Sequence, residues 1–330
     1  MSNSPDYFPP AVCPRDLGPL GPDASGGLTC AAGHRYDVRE GIPRLLDADS
    51  NYAEAFGAQW NHYRVTQLDS YTKTPLTRDR LRRCAGEELW RRMSDPAERL
   101  QVLEAGCGAG RFTEILLDLP GTAVTSTDLS SAVEPNQRNC PQGLRHRIFQ
   151  CDINRFPFAP AQYDVVVCLG VVQHTQSSEG TIRLLYEQVK PGGWLVIDHY
   201  PRNLAHYTRL GEHALRPFLK RLPPGKAFGV TQWLTRIFFP LHKAVRRVRP
   251  AQMLLSRVSP VLTYFHALPE LDDRQQYEWA ELDTHDSLTD WYKHVRTPRE
   301  IRSAFDSLGA VDSWVALGGN GIEARCRKPN

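Results

Sequence analysis

The chain has 330 residues, 41% of them hydrophobic, and a formal net charge of +3, which is enough length and apolar content for one large buried core with a smaller appendage. No run approaches the ~18 uninterrupted apolar residues of a membrane span, and the Pro-rich start Met1–Pro10 lacks the basic and apolar regions of a signal peptide. Of the eight cysteines, Cys84, Cys107, Cys140, Cys151, Cys168 and Cys326 are scattered singly, which excludes a secreted disulfide framework and predicts a cytoplasmic chain with reduced thiols.

The first informative segment pairs Cys13-Pro14-Arg15-Asp16 with Cys30-Ala31-Ala32-Gly33-His34 across a Gly/Pro/Ser-rich loop. Two close ligand pairs joined by a loop are how a tetrahedral zinc site is assembled, so Cys13, Asp16, Cys30 and His34 are candidate ligands. The segment resembles the N-terminal zinc module of bacterial ribosomal-RNA guanine methyltransferases. Its pattern is C-x2-C, a loop, C-x3-H and a Gly-Ile-Pro-x-Leu-Leu tail, matched here by Gly41-Ile42-Pro43-Arg44-Leu45-Leu46. Asp16 stands where that pattern has its second cysteine, so a metal-free remnant of the ribbon is the alternative to bound zinc.

Residues 50 to 100 read as helical, with a first helix through Ala53–Tyr63 and a second near Arg78 to Met93. Phe56, Trp60 and Tyr63 fall on one helical face. That face either packs the segment onto the main domain or forms a lid over a ligand loop, with Gln67, Asp69 or Arg80 reaching the ligand's polar end.

From Val102 the chain runs strand, glycine loop, helix: Val102-Leu103-Glu104-Ala105 turns through Gly106, Gly108 and Gly110 into Arg111–Leu119. Glycines here let the backbone approach a ligand without Cβ interference, while the free N–H groups of the next helix face it. Such loops serve nicotinamide, flavin and S-adenosylmethionine (SAM) binders alike. Asp128 ends the second strand, 22 residues beyond Gly106, where a carboxylate accepts from both ribose hydroxyls of an adenosine ligand. Asp152-Ile153 follows the third strand and suits an adenine, the acid taking the exocyclic amine and the isoleucine covering the ring. Asp164–Gly170 reads as a buried fourth strand, and Trp194–Asp198 as a fifth after the helix Glu179–Val189. The helix Pro298–Leu308 stops at Gly309. Val311–Leu317 and Ile322–Lys328 follow, separated by too few residues for a helical crossover, and must form an antiparallel hairpin.

These signs together resemble a class I SAM-dependent methyltransferase of the type 11/12 kind: Glu104-x-Gly106-x-Gly108-x-Gly110, Asp128, Asp152-Ile153, Leu169–Thr175, Lys190-Pro191-Gly192-Gly193 and the terminal hairpin. The resemblance implies an α/β fold, a Rossmann-like seven-stranded sheet with an antiparallel last strand. It carries the small N-terminal ribbon-like segment and a helical cap insertion. It also implies a SAM site formed by Glu104, Gly106, Cys107, Gly108, Gly110, Asp128, Leu129, Asp152, Ile153, Leu169 and His174. The expected divisions are 1–48 ribbon-like segment, 49–98 helical lid, 99–199 SAM-binding core, 200–290 acceptor cap and 291–330 the end of the core. Gln67–Ser70 and Asp283–Asp286 are similar to stretches of bacterial methyltransferases of surface-polysaccharide and natural-product assembly.

A base is needed chiefly when the methyl acceptor is a hydroxyl. His199, directly after the fifth strand, and His285 and Asp286, in a cluster with Asp283, Tyr292 and His294, are the catalytic candidates. Within the cap, Phe228–Val248 is apolar-periodic through Trp233, Leu234, Ile237, Phe238, Leu241 and Val245, with Pro240 expected to kink or divide it. Between Pro201 and Pro260 twelve Lys and Arg stand against Glu212 alone, a net +11 that predicts an acidic partner. The expected acceptor is a small acidic or phosphorylated molecule such as a sugar, methylated on oxygen or nitrogen. Contact with an anionic membrane is a further expectation, and RNA-base methylation the less favoured reading. A SAM-binding regulatory protein is the non-enzymatic alternative, which loss of the glycine or acidic positions would signal; none is lost.

Overall fold

A computed structural model describes residues 8–46 and 54–330. The start of the chain and the junction expected at residue 48 lie outside the described residues. The N-terminal segment is built of short strands β1 (Gly21–Pro22), β2 (Leu28–Thr29) and β3 (Arg35–Tyr36), which form their own sheet, and β4 (Val38–Arg39) and β5 (Ile42–Leu45). Three helices follow: α1 (Glu54–His62), α2 (Asp69–Thr72) and α3 (Leu76–Ser94), the last broken at Gly86. The core then alternates as β6 (Leu100–Ala105), α4 (Arg111–Asp118), β7 (Thr122–Asp128), α5 (Val133–Asn139), β8 (His146–Cys151), β9 (Tyr163–Cys168), α6 (Ser178–Gln188) and β10 (Val189–His199). The insertion supplies α7 (Leu204–Tyr207), α8 (Leu210–Leu219), α9 (Pro224–Val245), α10 (Arg249–Val258) and α11 (Asp273–Thr289). The chain closes with α12 (Pro298–Ser307), β11 (Val311–Gly318) and β12 (Gly321–Arg327).

The large sheet runs β11-β12-β10-β9-β6-β7-β8-β5-β4. Its seven core strands, β11 to β8 in that order, have the expected Rossmann-like arrangement, with β12 antiparallel to β10 in the register Asp198↔Glu323. The sheet is wider than the expected seven because Gly41–Leu46 contributes β5, which pairs in parallel with β8 through Arg44↔Gln150 and Leu45↔Cys151.

Strand parity distributes the side chains. Leu103, Ala105, Val166, Cys168, Leu195 and Ile197 join Ile182 and Leu185 of α6 and Ile301 and Phe305 of α12 on one face. Val102, Val165, Val167 and Val196 join Leu81, Leu89 and Met93 of α3 and Ile115 and Leu116 of α4 on the other. Burial on both faces explains the unbroken apolar runs of the parallel strands. α12 is fixed by a Thr297/Glu300 capping box with Pro298 in its first turn, and α11 by an Asp272/Gln275 box. All eight cysteines are buried and unbridged. Among the described residues no helix is long and apolar enough to cross a membrane.

α9 runs undivided through Pro240. Its buried face is Ala227, Thr231, Leu234, Thr235, Phe239 and His242. Trp233, Ile237 and Leu241, expected on the packed face, are exposed instead. The cap's contact surface is partly polar, so a stripe chosen by hydrophobicity alone lands beside it.

Candidate active site

A cavity of about 920 Å³ lies beyond the carboxyl ends of β6, β7, β9 and β10, roofed by α1 and by the helices of the insertion. This is where open α/β sheets bind ligands. Its sheet-side wall is the loop Gly106–Ala109 together with Thr127, Asp128, Leu129, Cys151, Ile153, Leu169 and His174. Gly106 has φ +78°, and a Cβ there would come within 2.3 Å of Val171, so this turn admits only glycine. The Gly108 N–H donates to Asp128 Oδ2 at 2.9 Å, and Ser130 donates through its N–H and hydroxyl to Oδ1. Burial raises the Asp128 pKa despite these bonds.

Of the expected cofactor residues, Gly106, Cys107, Gly108, Asp128, Leu129, Ile153, Leu169 and His174 are thus brought together, while Glu104, Gly110 and Asp152 are not on the wall. Parity turns Glu104 to the α4 face, where Oε2 accepts from Thr113 Oγ1 at 2.6 Å and Ser126 Oγ at 2.8 Å and Oε1 has no partner. Burial lifts its pKa to about 7. Gly110 sits against Cys140 and Asn136 as the N-cap of α4. Asp152 Oδ1 is taken by the N–H and side-chain amide of Asn154.

The helical segment before β6 borders the cavity. Phe56, Gln59 and Trp60 of α1, Gln67 and Arg80 line the cavity, while Asp69 instead caps α3, accepting from the N–H groups of Thr77 and Arg78. Three cations stand here, of which Arg83 pairs with Glu323 at 3.0 Å. Arg80 is paired with Asp198, whose Oδ1 also accepts from Gly170 N–H at 2.6 Å. Arg111, the first residue of α4, donates to Gln67 Oε1 at 2.8 Å and Thr77 Oγ1 at 3.0 Å and lies 5.4 Å from the Trp279 ring. No ion pair joins Arg111 to a carboxylate among the described residues, and burial, then the neighbouring Arg80, depress its pKa to about 10.

The opposite wall comes from α11, whose Trp279, Leu282, Asp283, Asp286 and Ser287 share one helical face, together with Tyr200, Arg209, Tyr264 and Lys293. Asp286 Oδ2 lies 3.4 Å from the Tyr200 hydroxyl and 4.0 Å from His174 Nε2, and Oδ1 has no hydrogen-bond partner. Burial raises the Asp286 pKa above the ordinary carboxylate value. His174 Nδ1 lies 3.2 Å from Asp290 Oδ2. Burial works against its charge, but Asp286 and Asp290 outweigh it and lift the imidazole above its usual pKa. Asp283 accepts from Gln67 Nε2 at 3.1 Å, and burial brings its pKa to about 6. Lys293 is anchored to Glu212 at 2.5 Å and Ser287 Oγ at 2.7 Å.

The two histidine candidates lie elsewhere. His199 has the parity of Leu195 and Ile197, so it faces α6 and bonds Ser178 Oγ at 2.9 Å and the Tyr200 carbonyl at 3.0 Å. His285 turns off the cavity wall toward α9, against Thr231 Oγ1 at 3.0 Å and Phe228. Burial pushes both pKa values down to about 4. His294 is likewise off the wall, bonded to the Thr175 carbonyl at 3.0 Å. Sequence reasoning missed Asp198, Tyr200, Arg111, Tyr264, Trp279 and Lys293. For Asp198 the parity of β10 was a usable signal, since it puts that residue opposite His199.

A second cluster lies in the N-terminal segment, where the ligand atoms of Cys13, Asp16, Cys30 and His34 all fall within 4.8 Å of one another. Sγ of Cys13 and of Cys30 lie 3.4 Å and 3.3 Å from His34 Nδ1, and Asp16 Oδ2 lies 3.2 Å from Cys30 Sγ and 3.3 Å from His34 Nδ1.

Residues 103–197 match the family described as methyltransferase domain. The chain is similar to ubiquinone biosynthesis O-methyltransferase of Leptothrix cholodnii, 27% identical over 47% of this chain and 60% of that protein. It is also similar to malonyl-[acyl-carrier protein] O-methyltransferase of Enterobacter lignolyticus, 37% identical over 33% of this chain and 45% of the relative. The chain thus spans about half the length of the curated relatives it matches. Among solved structures it is similar to human N-acetylserotonin methyltransferase in complex with SAM, with TM-score 0.43 and 14% identity over 84% of this chain and 59% of that one.

Proposed function

We propose, from the methyltransferase domain at residues 103–197 and the cavity its loops open into, that the protein is a SAM-dependent methyltransferase acting on a hydroxyl of a small acidic acceptor. The cavity chemistry fits the cofactor. Asp128 offers a carboxylate for a ribose diol, Leu129, Cys151, Ile153 and Leu169 an apolar slot for an adenine, and the unpaired Arg111 with Arg80 a seat for an amino-acid carboxylate. SAM, when bound, supplies an electrophilic methyl group on a sulfonium.

The residues of this chain do the rest. Closure by α1 and the cap excludes water, and positioning in a dry pocket supplies much of the rate. A hydroxyl acceptor must lose its proton, and Asp286 is the group to take it. The observation that carries this is its Oδ1, buried at the cavity wall without a partner while Tyr200 and His174 hold Oδ2. Arg209 and Lys293 on the same wall favour an anionic acceptor, such as a phosphorylated sugar or a carboxylated intermediate of glycan or natural-product assembly. The O-methyltransferase names of the relatives support oxygen as the atom methylated. Calorimetry with SAM, followed by mass spectrometry for the gain of one methyl on candidate acceptors, tests this; the absence of SAM binding overturns it.

The N-terminal cluster supports a structural zinc site. Zinc bonds of about 2.3 Å to sulfur and 2.0 Å to nitrogen in a tetrahedron place ligand atoms roughly 3.5 Å apart, close to the sulfur–nitrogen separations of 3.3 and 3.4 Å. Cys13, Cys30, His34 and Asp16 would hold the ion, and its role there would be to fix two loops that have little core of their own.

A further inference from the structure

The insertion exposes apolar side chains along its helices, and one group of them adjoins residues that line the cavity. Leu204 and Tyr207 of α7, Leu210 of α8, and Met253, Leu254 and Val258 of α10 are all more than half exposed, Leu204 at 77% and Leu254 at 68%. They are neighbours. His213 of α8 bonds the His206 carbonyl of α7 at 2.8 Å, and a Cβ on Gly211 would lie 2.3 Å from the Val258 carbonyl, so the first turn of α8 rests on the end of α10. In sequence these exposed residues alternate with Asn203, His206, Arg209, Ser256 and Arg257, which line the cavity. The result is a hydrophobic rim around a polar entrance.

Charge says what covers it. Asp273, Asp290, Glu300 and Glu212 neutralise Lys243, Arg246, Arg216, Arg202 and Arg209. Lys226, Arg236, Arg247 and Arg249 are exposed and make no ion pair among the described residues, and the last two flank the start of α10. A second copy of the chain would bring the same excess of positive charge against itself. An anionic bilayer meets both requirements, since apolar side chains enter the acyl boundary while flanking cations meet the headgroups.

We propose that the rim formed by α7, α8 and α10 seats the protein on an anionic membrane with the cavity mouth against the lipid, so that the acceptor is an amphiphile whose polar head enters from the bilayer. The second half of this rests on the methyltransferase reading. The first does not, because membrane binding is measured without SAM or acceptor.

The test is sedimentation of the full chain with vesicles of phosphatidylcholine, with and without phosphatidylglycerol. Binding is expected to the anionic vesicles and to be at least about tenfold weaker to phosphatidylcholine alone and for R247E/R249E. L210E/L254E, at rim positions off the cavity wall, should lose about tenfold or more while binding SAM in calorimetry as the wild type does. Should that double variant fail to fold, Leu254→Ser and the salt dependence of wild-type binding decide the same question. Equal binding to neutral and anionic vesicles, no binding, or a stable dimer that L210E/L254E converts to monomer would each overturn the proposal.

Discussion

His174 and Asp286 face each other across 4.0 Å at the cavity wall, one from the loop after β9 and the other from the cap helix α11. Core and insertion therefore meet at this wall, and Tyr200, directly after β10, packs edge-on to His174 and reaches Asp286 Oδ2.

Replacing Asp286 by Asn should lower kcat on a hydroxyl acceptor by about 10²–10⁴-fold and leave the affinity for SAM unchanged in calorimetry. Because burial raises the Asp286 pKa, the wild-type rate should fall in acid at a pH above the ordinary carboxylate range, as the base becomes protonated. The Asn variant's residual rate should lack that limb.

Arg111→Gln should weaken SAM binding by about ten- to a hundredfold, the worth of a hydrogen bond to a charged group. Removing a half-buried cation that makes no ion pair among the described residues should at the same time leave thermal stability equal or higher. A variant that instead binds SAM normally and melts early would make Arg111 a structural residue.

Glu104 predicts a pH dependence of stability. Its folded pKa of about 7 lies above the ordinary value of 4.5, so the folded state prefers the protonated carboxyl. The associated stability is complete below the unfolded value and is lost as pH rises through about 7, by roughly 3 kcal/mol at most. Urea midpoints taken between about pH 5 and pH 8 should show Glu104→Gln gaining on the wild type as pH rises.

Metal analysis should find one zinc per chain, lost in Cys13→Ser and Cys30→Ser, with a chelator lowering the melting temperature of the wild type. Asp16→Cys should hold the ion more tightly, since thiolate is the commoner ligand in structural sites.

Much of this architecture is legible in the residues. Gly106 and Gly108, Asp128 and the short hairpin turn at Gly318–Gly321 each impose one local geometry, and together they specify the sheet and the cofactor wall. The histidines were not legible because their facing depends on parity within β10 and on phase within α11. One residue of offset separates His199 from Asp198, and His285 from Asp286. Arg111 went unnoticed because a basic residue opening a helix looks like a solvated one until Trp279 and Gln67 are brought onto it from distant segments. The exposed Trp233 and Ile237 show the converse, for hydrophobic spacing identifies a helix more readily than it identifies which of its sides meets a neighbour.

The pairing of β5 with β8 makes the N-terminal segment a guard against misassociation. An uncovered β8 would present a row of free backbone donors and acceptors beside an apolar face, a template onto which other chains can add. By pairing with Gln150 and Cys151, the N-terminal segment takes the end of β8 out of that exposed edge.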